Sequence, residues 1–475
     1  MIGKERLARI RRRSCRMPAF RPCLLAAALV ALLLVGSFSP AVAGNPHSAF
    51  YSSSNDRIFW FIHASDIHVG AVGSTDSTNL QWLVTTAKNT ISPSFIVVTG
   101  DMTDSSNGGL FPIGGPYQAE WNEYRSIVDA NVTSSTYYDI PGNHEAYNDQ
   151  YFAYYLANSV QGRATGGTQH SWTRNLWFGE YHFLGVNTAD NTGRSFSIFP
   201  PYYGDHAGLD STELAFITSE LQAHPNAVLT LVFGHHPLAA TGDALDTYIY
   251  YGRDEFVSLM SGNGASLYGY GHTHDSSESF YTQGMTEGVF YFNVSALGKD
   301  SPNQYTVTAI DCNGIASVTQ NVSSWPVVLI TAPMDRYLGG IVNPYTYSIP
   351  NSSANPIRAL VFDTAAVSQV QYRIDTAGSW YPMQRTATNN PNYPHLWEAA
   401  WNASALASGE HTIEVQATGS TVRTDSIKVN VLATATGDFT GDCDVDGSDL
   451  AILIATPSLL DLATFAQNFG KSVCP

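Results

Sequence analysis

Five short segments of this 475-residue chain carry nitrogen and oxygen donors at spacings suited to metal chemistry. They are Asp66-Ile67-His68, Gly100-Asp101-Met102-Thr103-Asp104, Gly142-Asn143-His144-Glu145, Gly234-His235-His236-Pro237 and Gly271-His272-Thr273-His274. In an Asp-x-His or His-x-His at a strand end, alternate side chains point the same way, so two ligands can face one ion. Imidazole combined with carboxylate suits Zn, Mn or Fe better than Ca or Mg. A lone His-x-His is more often a pair of ordinarily hydrogen-bonded histidines. An ordered set of five such segments is not explained that way.

Hydropathy defines the elements that must position these residues. Apolar runs at Phe59 to Ala64, Phe95 to Thr99, Tyr181 to Val186 and Val228 to Phe233 alternate with amphipathic stretches at Asn79 to Thr90 and Thr212 to Ala223. That alternation predicts an α/β domain. Most of the motifs sit just past a strand-like run, where α/β sheets place their ligands. From Trp325-Pro326 the pattern changes to short segments, Val327 to Thr331, Ile357 to Phe362, Val370 to Ile374, His411 to Ala417 and Asp425 to Val431. These predict an all-β, immunoglobulin-like sandwich, lacking the paired cysteines of antibody domains. A spacer packed against the catalytic domain is the favoured role for it, ahead of a carbohydrate- or partner-binding surface.

The ordered motifs resemble those of the calcineurin-like metallophosphoesterases, D-x-H, GD-x-x-D, GNH-E/D, H and GH-x-H, over roughly residues 58 to 322. The resemblance implies a four-layer α/β/β/α catalytic domain. It further implies that Asp66, His68 and His274 hold one metal, that Asn143, His235 and His272 hold a second, and that Asp101 bridges both. His144 would be no ligand; it would protonate the leaving oxygen or steady the charged transition state, while Glu145 or Asp104 orients its neighbours. The implied reaction is hydrolysis of a small phosphate ester, a phosphodiester or nucleotide ahead of a phosphomonoester, by attack of metal-bound hydroxide. Two ions about 3.5–4 Å apart lower the pKa of a bridging water and clamp the phosphoryl oxygens. A non-catalytic surface binding or scaffold protein is the competing reading, and the presence of every expected ligand argues against it.

Of the adjacent pair, the family's His-x-Pro spacing selects His235, leaving His236 to line the pocket. His170 and Arg174 read as part of a polar loop between Gly166 and Trp177, where substrate contact competes with ordinary surface placement. Tyr147 and Asn148 stand similarly.

Hydrophobic residues make up 44% of the chain and charged residues 13%, with 9 Trp, 22 Phe and 26 Tyr, which excludes disorder as the main state. An Arg-rich start, an apolar run from Leu24 to Val35 and Pro40-Ala41-Val42-Ala43-Gly44 predict a secretory signal peptide cleaved after Ala43. The apolar run falls short of the roughly 20 residues that span a bilayer, so no membrane span is expected after signal removal. The expected location is secreted, periplasmic or cell-surface. The first 43 residues carry eight Lys/Arg against one Glu, so their removal takes the net charge from −17 to −24. Such acidity excludes general nucleic-acid binding through clustered cations. It also requires metal ions to supply the positive charge for any phosphate.

The expected division is a signal peptide over 1–43, the catalytic domain over 44–324, the β-sandwich over 325–433 and a tail over 434–475. In the tail, Asp438, Thr440, Asp442, Asp444, Asp446 and Asp449 stand at the ligand spacing of a calcium loop. The segment resembles the first half of a dockerin-type repeat, which implies a small helical tail, at most one Ca ion and a cohesin-like or surface partner. Cys443 stands where the loop's sharp turn wants glycine, and Thr440 replaces the usual Asn or Asp. Cys443 and Cys474 are candidates for a bridge that would tie the final residues to the loop.

Overall fold

The computed structural model describes residues 57–109, 115–189, 207–239, 248–349, 355–386, 393–431, 437–438, 445–457 and 460–471. The expected signal peptide, the residues Thr440, Asp442 and Asp444, and both tail cysteines lie outside the described residues.

Among the described residues, eleven strands build the first region: β1 (Ile58–Ala64), β2 (Ile96–Thr99), β3 (Tyr137–Ile140), β4 (His170–Leu176), β5 (Gly179–Gly185), β6 (Leu229–Phe233), β7 (Ala265–Tyr270), β8 (Ser277–Tyr281), β9 (Val289–Asn293), β10 (Gln304–Asp311) and β11 (Gly314–Asn321). They form two sheets, one in the order β11-β10-β1-β2-β3 and the other in the order β4-β5-β6-β7-β9-β8. Within them β1, β2 and β3 run parallel, as do β5, β6, β7 and β9, while β10 pairs antiparallel with β1 and β4 pairs antiparallel with β5.

Side-chain alternation along each strand sorts residues to two faces. Phe59, Phe61, Phe95 and Val97 of the first sheet meet Phe183, Leu231, Phe233 and Phe290 of the second in a shared aromatic core. The opposite face of the first sheet, with Ile62 and Val98, packs on helices through Leu80, Trp121 and Tyr124. The outer face of the second, with Leu184 and Val232, packs on Ile217, Leu221 and Phe256. Helix, sheet, sheet, helix is the four-layer α/β/β/α arrangement expected from the motif order.

The covering helices follow from local sequence. Ser211–Ala223 starts with a capping box in which Asp210 accepts from Thr212 and Glu213 amides, and it buries Glu213, Ile217 and Leu221 at four-residue spacing. Gln118–Asn131 buries Trp121, Tyr124 and Val128, and its Glu120 carboxylate accepts the backbone N–H groups of Ser105, Ser106 and Asn107. That carboxylate ties down the loop that follows Asp104.

Ten further strands follow among the described residues: β12 (Val327–Ala332), β13 (Tyr337–Leu338), β14 (Ile341–Val342), β15 (Asn355–Phe362), β16 (Gln369–Ile374), β17 (Tyr381–Pro382), β18 (Gln384–Arg385), β19 (Leu396–Trp401), β20 (Gly409–Thr418) and β21 (Val422–Val431). Two four-stranded sheets, β12-β15-β19-β18 and β17-β16-β20-β21, make the all-β sandwich. Its inward positions alternate along each strand, Ile413, Val415 and Ala417 on β20 and Ile427, Val429 and Val431 on β21 all entering the core, with Ile413 paired to Ile427 across the two strands. The sandwich is fastened to the first region by a buried ion pair: Arg358 Nε lies 3.0 Å from Asp311 Oδ2, which also accepts from the Thr331 hydroxyl at 2.6 Å.

Two short helices, Gly447–Ala455 and Leu462–Asn468, pack around Val445, Leu453 and Phe465 in the tail. Among the described residues no helix is long and apolar enough to cross a membrane.

Candidate metal centre

All five motifs lie just beyond the C-terminal ends of parallel strands, after β1, β2, β3, β6 and β7. The means by which their side chains converge differs from the expected strand alternation. Asp66, His68, Asp101, His272 and His274 have φ values of 52°, 56°, 53°, 68° and 58°, in the left-handed region. Such a backbone is costly for residues with a Cβ and persists where surrounding contacts over-determine it. Here the ties are the Asp66 amide to the Gly100 carbonyl at 3.1 Å, the His68 amide to the Asp101 carbonyl at 2.9 Å and the His272 amide to Asp66 Oδ2 at 2.9 Å. Alternate ligands share a face because the chain turns sharply at each of them.

The motif glycines are explained by proximity. A Cβ on Gly100 would strike the His235 ring, and one on Gly271 would strike the Ser65 hydroxyl and the Asp66 carboxylate. Two strand ends can close on the ligands only if those positions carry no side chain.

The candidate ligating atoms fall into two clusters. In the first, His68 Nε2 and His274 Nε2 are 3.3 Å apart, and Asp66 Oδ1 is 3.4 Å from His274 Nε2 and 3.8 Å from His68 Nε2. In the second, Asn143 Oδ1 lies 2.9 Å from His235 Nε2 and 3.0 Å from His272 Nδ1, with the two ring nitrogens 3.2 Å apart. Asp101 Oδ2 stands between them, 3.5 Å from His68 Nε2 and 3.3 Å from His235 Nε2. Metal–ligand bonds of about 2.1 Å set neighbouring ligand atoms roughly 3.0–3.4 Å apart, so both clusters have the size of a coordination shell. Asp66 Oδ1 is buried with no hydrogen-bond partner, an acceptor the first cluster leaves for an ion.

Charge follows the same logic. Burial alone would raise Asp66 and Asp101, but the surrounding histidines outweigh it and hold both well below the ordinary carboxylate range. Burial would likewise lower His235 and His274, yet Asp101 and Asp66 carry His235 up to about 9, and Asp66 with Asp300 carries His274 to about 9. Two buried carboxylates therefore demand positive charge, which protons or divalent ions can satisfy.

A second layer orients the ring nitrogens that face away. His68 Nδ1 is 2.9 Å from Asp104 Oδ1, which also accepts from Lys299 Nζ at 2.8 Å. His235 Nδ1 contacts the Thr99 carbonyl at 2.6 Å, and His274 Nδ1 contacts Asp300. Glu145 accepts the backbone N–H groups of Asp101, Thr103 and Gly142 and so cross-ties two ligand loops. Burial and the Asp101 charge push Glu145 up to about 8, against those amides.

His144 sits beside the bridge. Its Nδ1 is 2.7 Å from the Asp104 carbonyl oxygen, its amide donates to Asp101 Oδ1 at 3.0 Å, and its Nε2 is 3.9 Å from Asp101 Oδ2. Its ring lies 4.7 Å from that of Tyr147, whose hydroxyl accepts from Asn143 Nδ2 at 2.6 Å. Tyr147 thus supports a candidate ligand, and Asn148 adopts a left-handed turn.

His236 is buried against the second cluster, its ring 4.6 Å from His272 and its Nδ1 2.9 Å from the Thr188 hydroxyl. The expectation for His170 and Arg174 is corrected: both lie in β4, not in a loop. His170 is buried with Nε2 2.7 Å from the Tyr155 hydroxyl, and Arg174 donates to the Ser94 and Ser135 carbonyls. Sequence reading missed Lys299 and Asp300. They reach the site across more than two dozen residues from His274, with no local motif to mark them. In the tail, Asp446 caps the first helix and Asp449 Oδ2 accepts the Asp446 amide, so both serve a capping box.

Residues 59–276 match the family model of the calcineurin-like phosphoesterases, and residues 322–434 match that of the TMEM62 Ig-like domain. The chain is 25% identical to mouse transmembrane protein 62 over 413 residues, covering 82% of this chain and 59% of the mouse protein. It therefore spans little more than half the length of that curated relative. Among solved structures, similarity extends to a dimetal phosphatase from Danio rerio, 11% identical, with a TM-score of 0.39 and coverage of 56% of this chain and 100% of that one. Another is GAP50, described as the anchor in the inner membrane complex of Plasmodium, 14% identical, with a TM-score of 0.37 and coverage of 56% and 85%. The chain carries a calcineurin-like phosphoesterase domain followed by a TMEM62-type Ig-like domain.

Proposed function

We propose that this chain hydrolyses a phosphate ester outside the cytoplasm, with a phosphodiester or nucleotide as the favoured substrate. The observation that carries the reading is the position of Asp101 between two clusters, Asp66, His68 and His274 on one side and Asn143, His235 and His272 on the other. These residues fit two transition ions of the Zn, Mn or Fe class, with Asp101 shared. When bound, the ions supply Lewis acidity, an activated water and the positive field that an acidic protein lacks.

The chain's own residues do the rest. Asp104, Thr99 and Asp300 fix the tautomers of His68, His235 and His274, so that each presents a lone pair inward. His144 donates Nδ1–H to the Asp104 carbonyl, which turns Nε2 toward the bridge. Burial pushes His144 down to about 4, so a proton taken up at Nε2 in the field of an anionic ester is readily passed to the leaving oxygen.

The test is hydrolysis of bis(p-nitrophenyl) phosphate beside p-nitrophenyl phosphate, with metal counted in each variant. Asp101→Ala is expected to lose full metal occupancy and turnover together. His144→Ala keeps the metals and loses about 10²–10⁴-fold in rate. Full activity in Asp101→Ala overturns the scheme. Absence of turnover on either ester despite two bound metals favours a binding module, and preference for the monoester reassigns the substrate class.

For the tail we propose one calcium ion at Asp438, Thr440, Asp442, Asp444, Asp446 and Asp449, a reading supported by the ligand spacing and by a helix that begins at Gly447. Equal rates of tail proteolysis with calcium and with chelator refute it.

A further inference from the structure

Away from the motifs, His182 on β5 projects from the face opposite the inter-sheet core, toward the end of helix Ser211–Ala223. Glu220 stands on the last turn of that helix and His224 is its C-cap, a spacing of four residues that puts both on one helix face. Ligand atoms of His182, Glu220 and His224 all lie within 4.8 Å of one another, and the two imidazoles stack with centroids 4.3 Å apart. None of the three belongs to, or adjoins, the centre described above.

Two observations distinguish this group from an ordinary histidine pair. His182 is fully buried, and its Nδ1 has no hydrogen-bond partner although its Nε2 lies 3.0 Å from the Ser171 hydroxyl. A buried ring nitrogen left unsatisfied is destabilising, and an ion at that position would relieve it. On the other side, His224 Nδ1 lies 2.9 Å from Glu180 Oε1. A carboxylate holding one imidazole nitrogen fixes the tautomer and leaves the other nitrogen as a lone pair, as in carboxylate–histidine–metal arrangements.

We propose that His182 Nδ1, Glu220 and His224 Nε2 form a third, mononuclear site for a divalent ion of the zinc class. Two imidazoles and one carboxylate are a three-ligand set of the kind Zn²⁺ accepts with a fourth position open. Burial pushes His182 down to about 4, so it is a neutral ligand near pH 7. The carbonyl end of helix Ser211–Ala223 adds a negative field that favours a cation. Glu220 and His224 line a groove of about 720 Å³ with Gln169 and Thr212, toward which the open position would face. The ion would pin β5 to the end of that helix.

The test is zinc stoichiometry of the full chain after equilibration with Zn²⁺ and desalting, read by elemental analysis. Wild type is expected to hold about three ions, and Glu220→Gln and His224→Gln about two each. His272→Ala, which damages the dimetal centre, should still keep the ion that the two outer variants lose. His224 is a quarter exposed at a helix end, so its substitution should leave the metal-free melting temperature close to wild type. As an independent readout, Co²⁺ added to the His272→Ala protein should give visible absorption that Glu220→Gln lowers, the remainder belonging to the cluster of Asp66, His68 and His274. Equal zinc content in wild type, Glu220→Gln and His224→Gln overturns the proposal, as does a Co²⁺ spectrum that Glu220→Gln leaves unchanged.

Discussion

Replacing Asp104 by alanine should weaken metal binding at the His68 side while leaving the His144 anchor in place. The reason is a division of labour within one residue. The Asp104 side chain accepts from His68 Nδ1 at 2.9 Å, whereas its backbone carbonyl, which alanine retains, faces His144 Nδ1 at 2.7 Å. Burial alone would raise Asp104, but His68, His144 and Lys299 hold it well below the ordinary range, so it is an anion at any pH at which a metal binds. A charge-assisted hydrogen bond of this kind contributes about 1.5–3 kcal/mol. At about 1.4 kcal/mol per decade, its loss means metal affinity weaker by roughly 10- to 150-fold, which agrees with the roughly 10- to 100-fold typical of lost metal-supporting partners. Lys299 is a third exposed and loses only a screened partner, so Lys299→Met should cost far less. The assay is competition with a chromophoric chelator, resolving two affinities, on Asp104→Ala, Lys299→Met and wild type. Stability adds a sign: a depressed carboxyl stabilises the fold above its ordinary pKa of 3.8, so the metal-free Asp104→Ala deficit should shrink as pH falls below 3.8. Unchanged affinity at both sites, or equal weakening at both, refutes the assignment of Asp104 as a positioning residue for His68.

Arg358→Met leaves the fully buried Asp311 without its cation and should destabilise the chain by about 3–5 kcal/mol in denaturant unfolding. Arg358→Met with Asp311→Asn should recover much of that, and strict additivity of the two losses would show that the pair does not act as a unit. A pH dependence is expected from a cavity of about 340 Å³ between the two regions, lined by Glu278, Asp335 and Asp425 among others. Burial first, then Asp335 and Asp425, push Glu278 up to about 7, while burial and Asp335 raise Asp425 to about 6. The folded state then holds protons that the unfolded state releases, so stability falls as pH rises from about 4.5 to 7 and levels off above. Glu278→Gln should gain stability relative to wild type across that window, by at most about 3 kcal/mol at pH 8, and a difference independent of pH in thermal melts counts against the mechanism.

The residues of the candidate centre were legible before any fold was known, because each motif is local. Asp66 with His68, and His272 with His274, carry their chemistry within three residues, and apolar runs before them mark the strand ends. The strands and the covering helices were legible for the same reason: burial on one face leaves a period of two or 3.6 in the sequence. Element ends shifted by a few residues, and β4 was read as a polar loop because Ser171, Thr173, Arg174 and Asn175 alternate with few strongly apolar residues. What the local pattern does not carry is any partner distant in sequence. Lys299 meets Asp104 across 195 residues, Arg358 meets Asp311 through a different domain, and the left-handed turns at five candidate ligands depend on carbonyls of neighbouring strands. His182, Glu220 and His224 were invisible as a group for that reason, since only the packing of a helix on β5 brings them together. Sequence by itself determined which donors exist and on which strand ends they stand; tertiary structure decided which of them come close enough to share an ion, because that depends on where separately encoded strands close on one another.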